Sequence, residues 1–182
     1  SQAPARRPQL GTRTPVLHHD GRDLAAALQT IIEVGDQQAL YESIADAFPD
    51  SRLEIDAVPG GVFGVQLHQE GLLRPLSAAE LSDGTLRYLL LVAALLTPRP
   101  PSLMVLNEPE TSLHPDLLPA LARLIIRASE QCQVWVVSHA RRLIAALQED
   151  PECNCIVLEK ELGQTGIVGQ RMLDEPAWYW PD

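Results

Sequence analysis

Leu81-Ser82-Asp83-Gly84-Thr85, Leu103-Met104-Val105-Leu106-Asn107-Glu108-Pro109-Glu110 and Val136-Val137-Ser138-His139 follow one another in that order, and their reading decides the fold. Ser82 is a good helix N-cap, and Gly84 permits close backbone approach just inside the helix. A helix starting there presents free N–H groups and the positive end of its dipole. The other two stretches are apolar strands, one ending in a carboxylate and one in a histidine. Short continuous apolar runs, 103–106 and 134–137, predict central parallel strands covered on both faces. Their polar ends then share the carboxyl edge of the sheet, where open α/β sheets bind ligands.

Outward from these strands the pattern alternates between helix and strand. Residues 86–96 are apolar on nearly every side, which predicts a fully buried helix. Leu117, Leu121, Leu124, Ile125 and Ala128 form a helical stripe; with Asp116 as N-cap, Pro119 falls in the first turn, where its missing N–H costs little. Upstream, Leu24, Ala27, Leu28, Ile31 and Ile32 predict one helix ending at Gly35, and Leu40, Ile44, Ala47 and Phe48 a second ending before Pro49. Leu53-Glu54-Ile55 and residues 62–67, divided by Pro59-Gly60-Gly61, read as strand, turn and strand. Downstream come a last strand, 155–158, and a hairpin around Gly163 to Gly166. The order is α/β with a parallel sheet. Residues 1–22, with Pro4, Pro8, Pro15 and several arginines, are expected to be a linker or disordered. Residues 23–172 form the folded lobe, and 173–182 a tail.

A chain of 182 residues with 46% hydrophobic and 21% charged residues suits one soluble globular domain. The formal net charge of −10 argues against a general nucleic-acid clamp, although Arg6-Arg7 or Arg141-Arg142 could make a local contact. The longest apolar run contains Arg87 and falls short of the ~20 residues that span a membrane. Three cysteines without a signal peptide point to a reducing cytoplasm. Cys153-Asn154-Cys155 lacks the second ligand pair that zinc needs. His18, His19 and His68 read as surface residues, and Ser138-His139 lacks the G-x-S-x-G elbow of a serine hydrolase.

In their order the three motifs resemble the signature motif, Walker B strand and switch histidine of ABC-type ATPase heads of the AAA class, particularly the SMC/RecF-like branch. Thr111-Ser112-Leu113-His114-Pro115-Asp116 resembles the D-loop of these heads. The wording Glu-Pro-Glu-x-x-Leu-His-Pro resembles that of overcoming-lysogenisation-type relatives. The likeness extends over residues 24–168 and is tightest over 81–147.

The resemblance implies a P-loop NTPase-like fold, ATP and Mg²⁺ as ligands, and ATP hydrolysis as the reaction. It implies a head-to-tail homodimer that sandwiches two nucleotides, and it leaves room for DNA as a partner of a longer protein. In it Ser82, Asp83, Gly84 and Thr85 would cap the nucleotide of the opposite protomer, while Ser112 and His114 would cross the dimer interface. Glu108 would polarise the attacking water, His139 would contact the γ-phosphate, and Asn107 would support the metal's hydration shell.

Three departures qualify this. Asp83 stands where glycine is usual, and Asn107 where aspartate is usual. A P-loop needs G-x-x-x-x-G-K-[ST], whereas the only lysine, Lys160, has no such glycines before it. The expectation is therefore half of an ATPase, its P-loop lobe lying upstream in a longer native chain and the isolated chain inactive. The alternative is a non-catalytic regulatory or interaction module that kept the ATPase fold. No additional acidic cluster suggests a linked nuclease.

Overall fold

The computed structural model describes residues 3–11, 13–58, 61–161 and 164–169. Two compact units divide the chain, residues 1–147 and 148–182.

In the first unit, both upstream helices form as their spacing predicts. Helix α1 (Leu24–Val34) buries Leu24, Ala27, Leu28 and Ile31 and ends at Gly35, whose N–H donates to the Ile31 carbonyl. Helix α2 (Gln37–Ala47) starts at Asp36, whose carboxylate accepts from the Ala39 N–H at 2.8 Å. Strands β2 (Ser51–Val58) and β3 (Val62–Gln69) pair antiparallel, from Ser51 opposite Gln69 to Val58 opposite Val62. Both are longer than the apolar runs that announced them. Alternation explains this: Leu53, Val65 and Leu67 point into the core, while Arg52 and Glu54 stay outside. Strands β1 (Gln9–Leu10) and β4 (Leu76–Ser77) also pair with β3, completing a four-stranded antiparallel sheet.

The segment expected to be a linker is thus partly tied down. Pro4–Arg6 makes a 3₁₀ turn that buries Ala5, and β1 follows it. The Thr14 N–H donates to the Thr30 hydroxyl at 2.9 Å, and the Thr97 hydroxyl donates to the Pro15 carbonyl. Proline and arginine content signals irregular backbone. It carries no information about tethering by distant partners.

Helix α3 (Asp83–Leu95) is the central helix. It buries Leu86, Tyr88, Leu89, Leu91, Val92, Ala93 and Leu95, and it packs against α1 and α4. Tyr88 is fully buried, with its hydroxyl donating to the Ser43 carbonyl at 3.2 Å. Helix α4 (Leu118–Ser129) carries the expected stripe, and Pro119 lies in its first turn. Asp116 is not its N-cap. A 3₁₀ turn, Pro115–Leu117, comes first, and the Asp116 carboxylate instead accepts from Arg142 at 3.0 Å. Helix α5 (Arg141–Leu147) closes the unit and packs on α4.

Strands β5 (Leu103–Asn107) and β6 (Gln133–Val137) pair in parallel and in register, Leu103 opposite Gln133 and Asn107 opposite Val137. Their cover differs from expectation. Met104, Leu106, Val134 and Val136 pack on the core, but the other face is open. There Leu103, Val105, Trp135 and Val137 are 43%, 58%, 59% and 56% exposed.

The second unit holds an antiparallel pair, β7 (Leu158–Glu161) and β8 (Gln164–Ile167). The expected strand at 155–158 shifts: pairing begins only at Leu158, and Cys155, Ile156 and Val157 are exposed outside it. Gly163 and the tail at 173–182 lie outside the described residues. No helix among the described residues is long and apolar enough to cross a membrane. The fold is mixed α/β and includes a parallel strand pair.

Candidate functional site

Ser82 caps α3 as its sequence suggests. Its hydroxyl oxygen accepts from the Thr85 N–H at 3.0 Å and lies 2.8 Å from the Thr85 hydroxyl. Asp83 follows in the first turn, a favourable place for a carboxylate. It is not left to the helix dipole alone, because Arg6 donates to its Oδ1 at 2.5 Å. The same guanidinium donates through Nη1 to the carbonyls of Ala78, Ala79 and Leu81 at 3.1, 3.2 and 2.7 Å. Gly84 packs against the D-loop-like segment, so closely that a Cβ there would sit 2.9 Å from the Ser112 carbonyl oxygen.

At the carboxyl edge of β5, Asn107 is the last strand residue and is exposed. The Glu108 N–H donates to the Val137 carbonyl at 2.8 Å, carrying the ladder one residue further. Glu108 then turns with φ +46°, a left-handed conformation uncommon outside glycine, and its side chain is half exposed. Glu110 folds back between the two strand ends and is only 9% exposed. It accepts from the Ser138 hydroxyl at 2.6 Å and from the His139 N–H at 3.3 Å. The Ser138 oxygen accepts in turn from the Ala140 N–H at 3.0 Å. Burial alone would raise the Glu110 pKa. The hydrogen bonds from Ser138 and from the N–H groups of Glu110, His139 and Ala140 outweigh it and hold the carboxyl below its ordinary value.

The His139 backbone belongs to this clamp, but its ring stays exposed. It is 80% exposed, with Nδ1 3.7 Å from Glu108 and 3.8 Å from Glu110. Between the strands, the Thr111 N–H donates to the Glu108 carbonyl and the Leu113 N–H to the Glu110 carbonyl. Ser112 has φ +67°. His114 caps the next turn, its Nδ1 accepting from the Asp116 N–H at 3.3 Å.

The structure thus brings Glu108, Glu110 and His139 to one edge, and Gly84 to Ser112. Two contributors were not assigned from sequence. Glu110 stood inside the motif without a role, and Arg6 is 77 residues from the carboxylate it meets. Magnesium takes one or two carboxylates and keeps several waters. Asn107 and Glu108 are one neutral carbonyl and one carboxylate, donor types that such a shell uses. Elsewhere His18, His19 and Asp20 place ligand atoms within 4.8 Å of one another. There the His18 ring is already engaged by Asp20 at 2.9 Å and Arg22 at 2.6 Å.

The family model described as AAA domain, putative AbiEii toxin, Type IV TA system, matches residues 3–145. Among curated proteins none matches the chain. Solved structures similar to it include SMC heads. One, from work on ATP-driven dimerization and DNA stimulated activation of SMC ATPases, is 16% identical with a TM-score of 0.58, covering 83% of this chain and 91% of that one. The Smc head with coiled coil and joint from Pyrococcus yayanosii is 15% identical with a TM-score of 0.60, covering 81% and 28%. The SMC head from Thermotoga maritima is 16% identical with a TM-score of 0.55, covering 82% and 52%. The chain therefore spans most of the first but about half or less of the other two. It has the fold of an SMC-like ATPase head, and it belongs to the AAA-domain family.

Proposed function

We propose that this chain is the C-terminal lobe of an ATP-hydrolysing head of the SMC/RecF-like class, with a P-loop lobe supplied by a longer native protein. The observation that carries this is the bare apolar face of β5 and β6. A parallel sheet is ordinarily buried on both sides, and Leu103, Val105, Trp135 and Val137 are left in solvent here. A second lobe laid over that face would bury them, as the apolar runs require.

In this reading Glu108 orients and polarises the attacking water at the open carboxyl edge. His139 donates a hydrogen bond to the γ-phosphate, a task suited to an exposed imidazole near neutral pH. Glu110 holds the His139 turn in place. The start of α3 caps the nucleotide of a second protomer in a head-to-tail homodimer, with Ser112 and His114 at the interface. Magnesium, when bound with the nucleotide, offsets phosphate charge, and Asn107 would hold one of its waters. Hydrolysis removes the γ-phosphate and opens the dimer. A non-catalytic module is the second reading, favoured by Asn107, which brings no charge.

The test is ATP binding with and without the second lobe. Calorimetry on the 182-residue chain is expected to show no ATP binding, and the protein carrying its P-loop lobe is expected to bind it. A stoichiometric, Mg²⁺-dependent micromolar complex with this chain alone would overturn the proposal.

A further inference from the structure

Asp83 is the residue least suited to a nucleotide cap, because a carboxylate in the first turn repels a phosphate approaching the same helix end. Arg6 answers it. The Arg6 side chain is 11% exposed and Asp83 68%, so the guanidinium sits beneath the loop while the carboxylate lies at the surface. One nitrogen of Arg6 fixes the three carbonyls leading into the cap, and the other meets Asp83 at 2.5 Å. A single side chain thus sets the loop's shape and neutralises its charge.

We propose that Arg6 is a positioning residue for the nucleotide cap, holding residues 78–83 in place and cancelling the Asp83 charge so that the start of α3 can face a phosphate. The inference rests on the ATPase reading above. It assigns Arg6 no contact with nucleotide: the guanidinium acts through Asp83 and the loop carbonyls. It also explains why Asp83 can stand where the resembling motif has glycine. The carboxylate and the guanidinium form one neutral unit, and the loop loses its tolerance for Asp83 when Arg6 goes.

A charge-rescue experiment separates this from mere loop support. Arg6→Gln removes the charge, and its amide, ending about where the Arg6 Nε lies, also releases the loop carbonyls. In the full-length protein it is expected to raise the ATP concentration for half-maximal head association roughly ten-fold, about 1.4 kcal/mol. Adding Asp83→Asn should restore the part of that loss that comes from the uncancelled Asp83 charge. Failure of Asp83→Asn to rescue would leave Arg6 a loop brace and overturn the proposal. Thermal melting of each variant checks folding. Should Arg6→Gln not fold, Arg6→Lys keeps the charge but cannot reach all three carbonyls. It is then expected to lower stability while leaving the ATP midpoint within about two-fold, and a ten-fold shift would overturn the charge role. Wild type that binds no ATP overturns the ATPase reading and this inference with it. Wild type that binds ATP without Arg6–Asp83 coupling overturns this inference alone.

Discussion

Gly84 and Ser112 meet so closely that no side chain fits between them: a Cβ on Gly84 would lie 2.9 Å from the Ser112 carbonyl oxygen. The contact joins the start of α3 to the turn after β5. Ser112 itself is left-handed, φ +67°, so its carbonyl is aimed by the turn. Within a helix, Gly→Ala ordinarily stabilises by up to ~1 kcal/mol. Here overpacking costs about 1–3 kcal/mol and should win. Gly84→Ala is expected to lower the chain's stability by about 1–2 kcal/mol in urea unfolding. A gain in stability would mean that the Ser112 turn yields freely.

Glu110 supplies a pH-dependent test. Its folded pKa lies below the ordinary 4.5, so its contribution to stability is present above that value and is lost as pH falls through the folded pKa. Glu110→Gln removes the charge while keeping a carbonyl acceptor for Ser138. At neutral pH it should cost about 1.5–3 kcal/mol, the range for hydrogen bonds to a charged group. The difference between wild type and variant should shrink as pH drops below 4.5. Denaturation across that range measures it, and a pH-independent difference would mean that the carboxylate's charge contributes nothing.

These sites differ in how far they could be read from residues alone. The helices α1, α2 and α4 and the β2–β3 hairpin were legible because each buries one face, and a buried face writes its period into the chain; α3 was legible as a continuous apolar run. Short apolar runs announced both strands, but these stop at Asn107 and Val137, so Glu108 and His139 lie just beyond the strands they were expected to end. The open face of β5 and β6 was not legible. An apolar run says that a strand is covered on both sides, not which part of a protein covers it. Arg6 was illegible for another reason: its partners are carbonyls and a carboxylate 72 to 77 residues away, and no local pattern encodes them.

Glu108 is tested by the smallest change that removes a base. In the full-length protein, Glu108→Gln should leave ATP binding intact and lower turnover by roughly 10²–10⁴-fold, the usual contribution of a general base. The backbone gives no reason for collateral damage, since Gln has the same branching as Glu at the left-handed φ of +46°. Turnover at the wild-type rate would move the base elsewhere and leave Glu108 as a strand-end turn residue.

Asn107 tests whether the site's missing charge matters. It is exposed at the end of β5, and Asn and Asp are nearly isosteric, so Asn107→Asp should alter stability by no more than about 0.5 kcal/mol. Its electrostatic effect should be larger. A carboxylate attracts a divalent ion directly, whereas an amide only orients its waters. With Glu108 beside it, Asp at this position would give the strand end the one or two carboxylates that magnesium ordinarily takes. Asn107→Asp in the full-length protein is therefore expected to lower the Mg²⁺ concentration for half-maximal ATP hydrolysis, measured by titration at fixed ATP. An unchanged Mg²⁺ midpoint with a weakened fold would have the opposite meaning. The Asn107 amide would then be donating a hydrogen bond that a carboxylate cannot make, and the chain would be better read as a module that kept the ATPase fold without its chemistry.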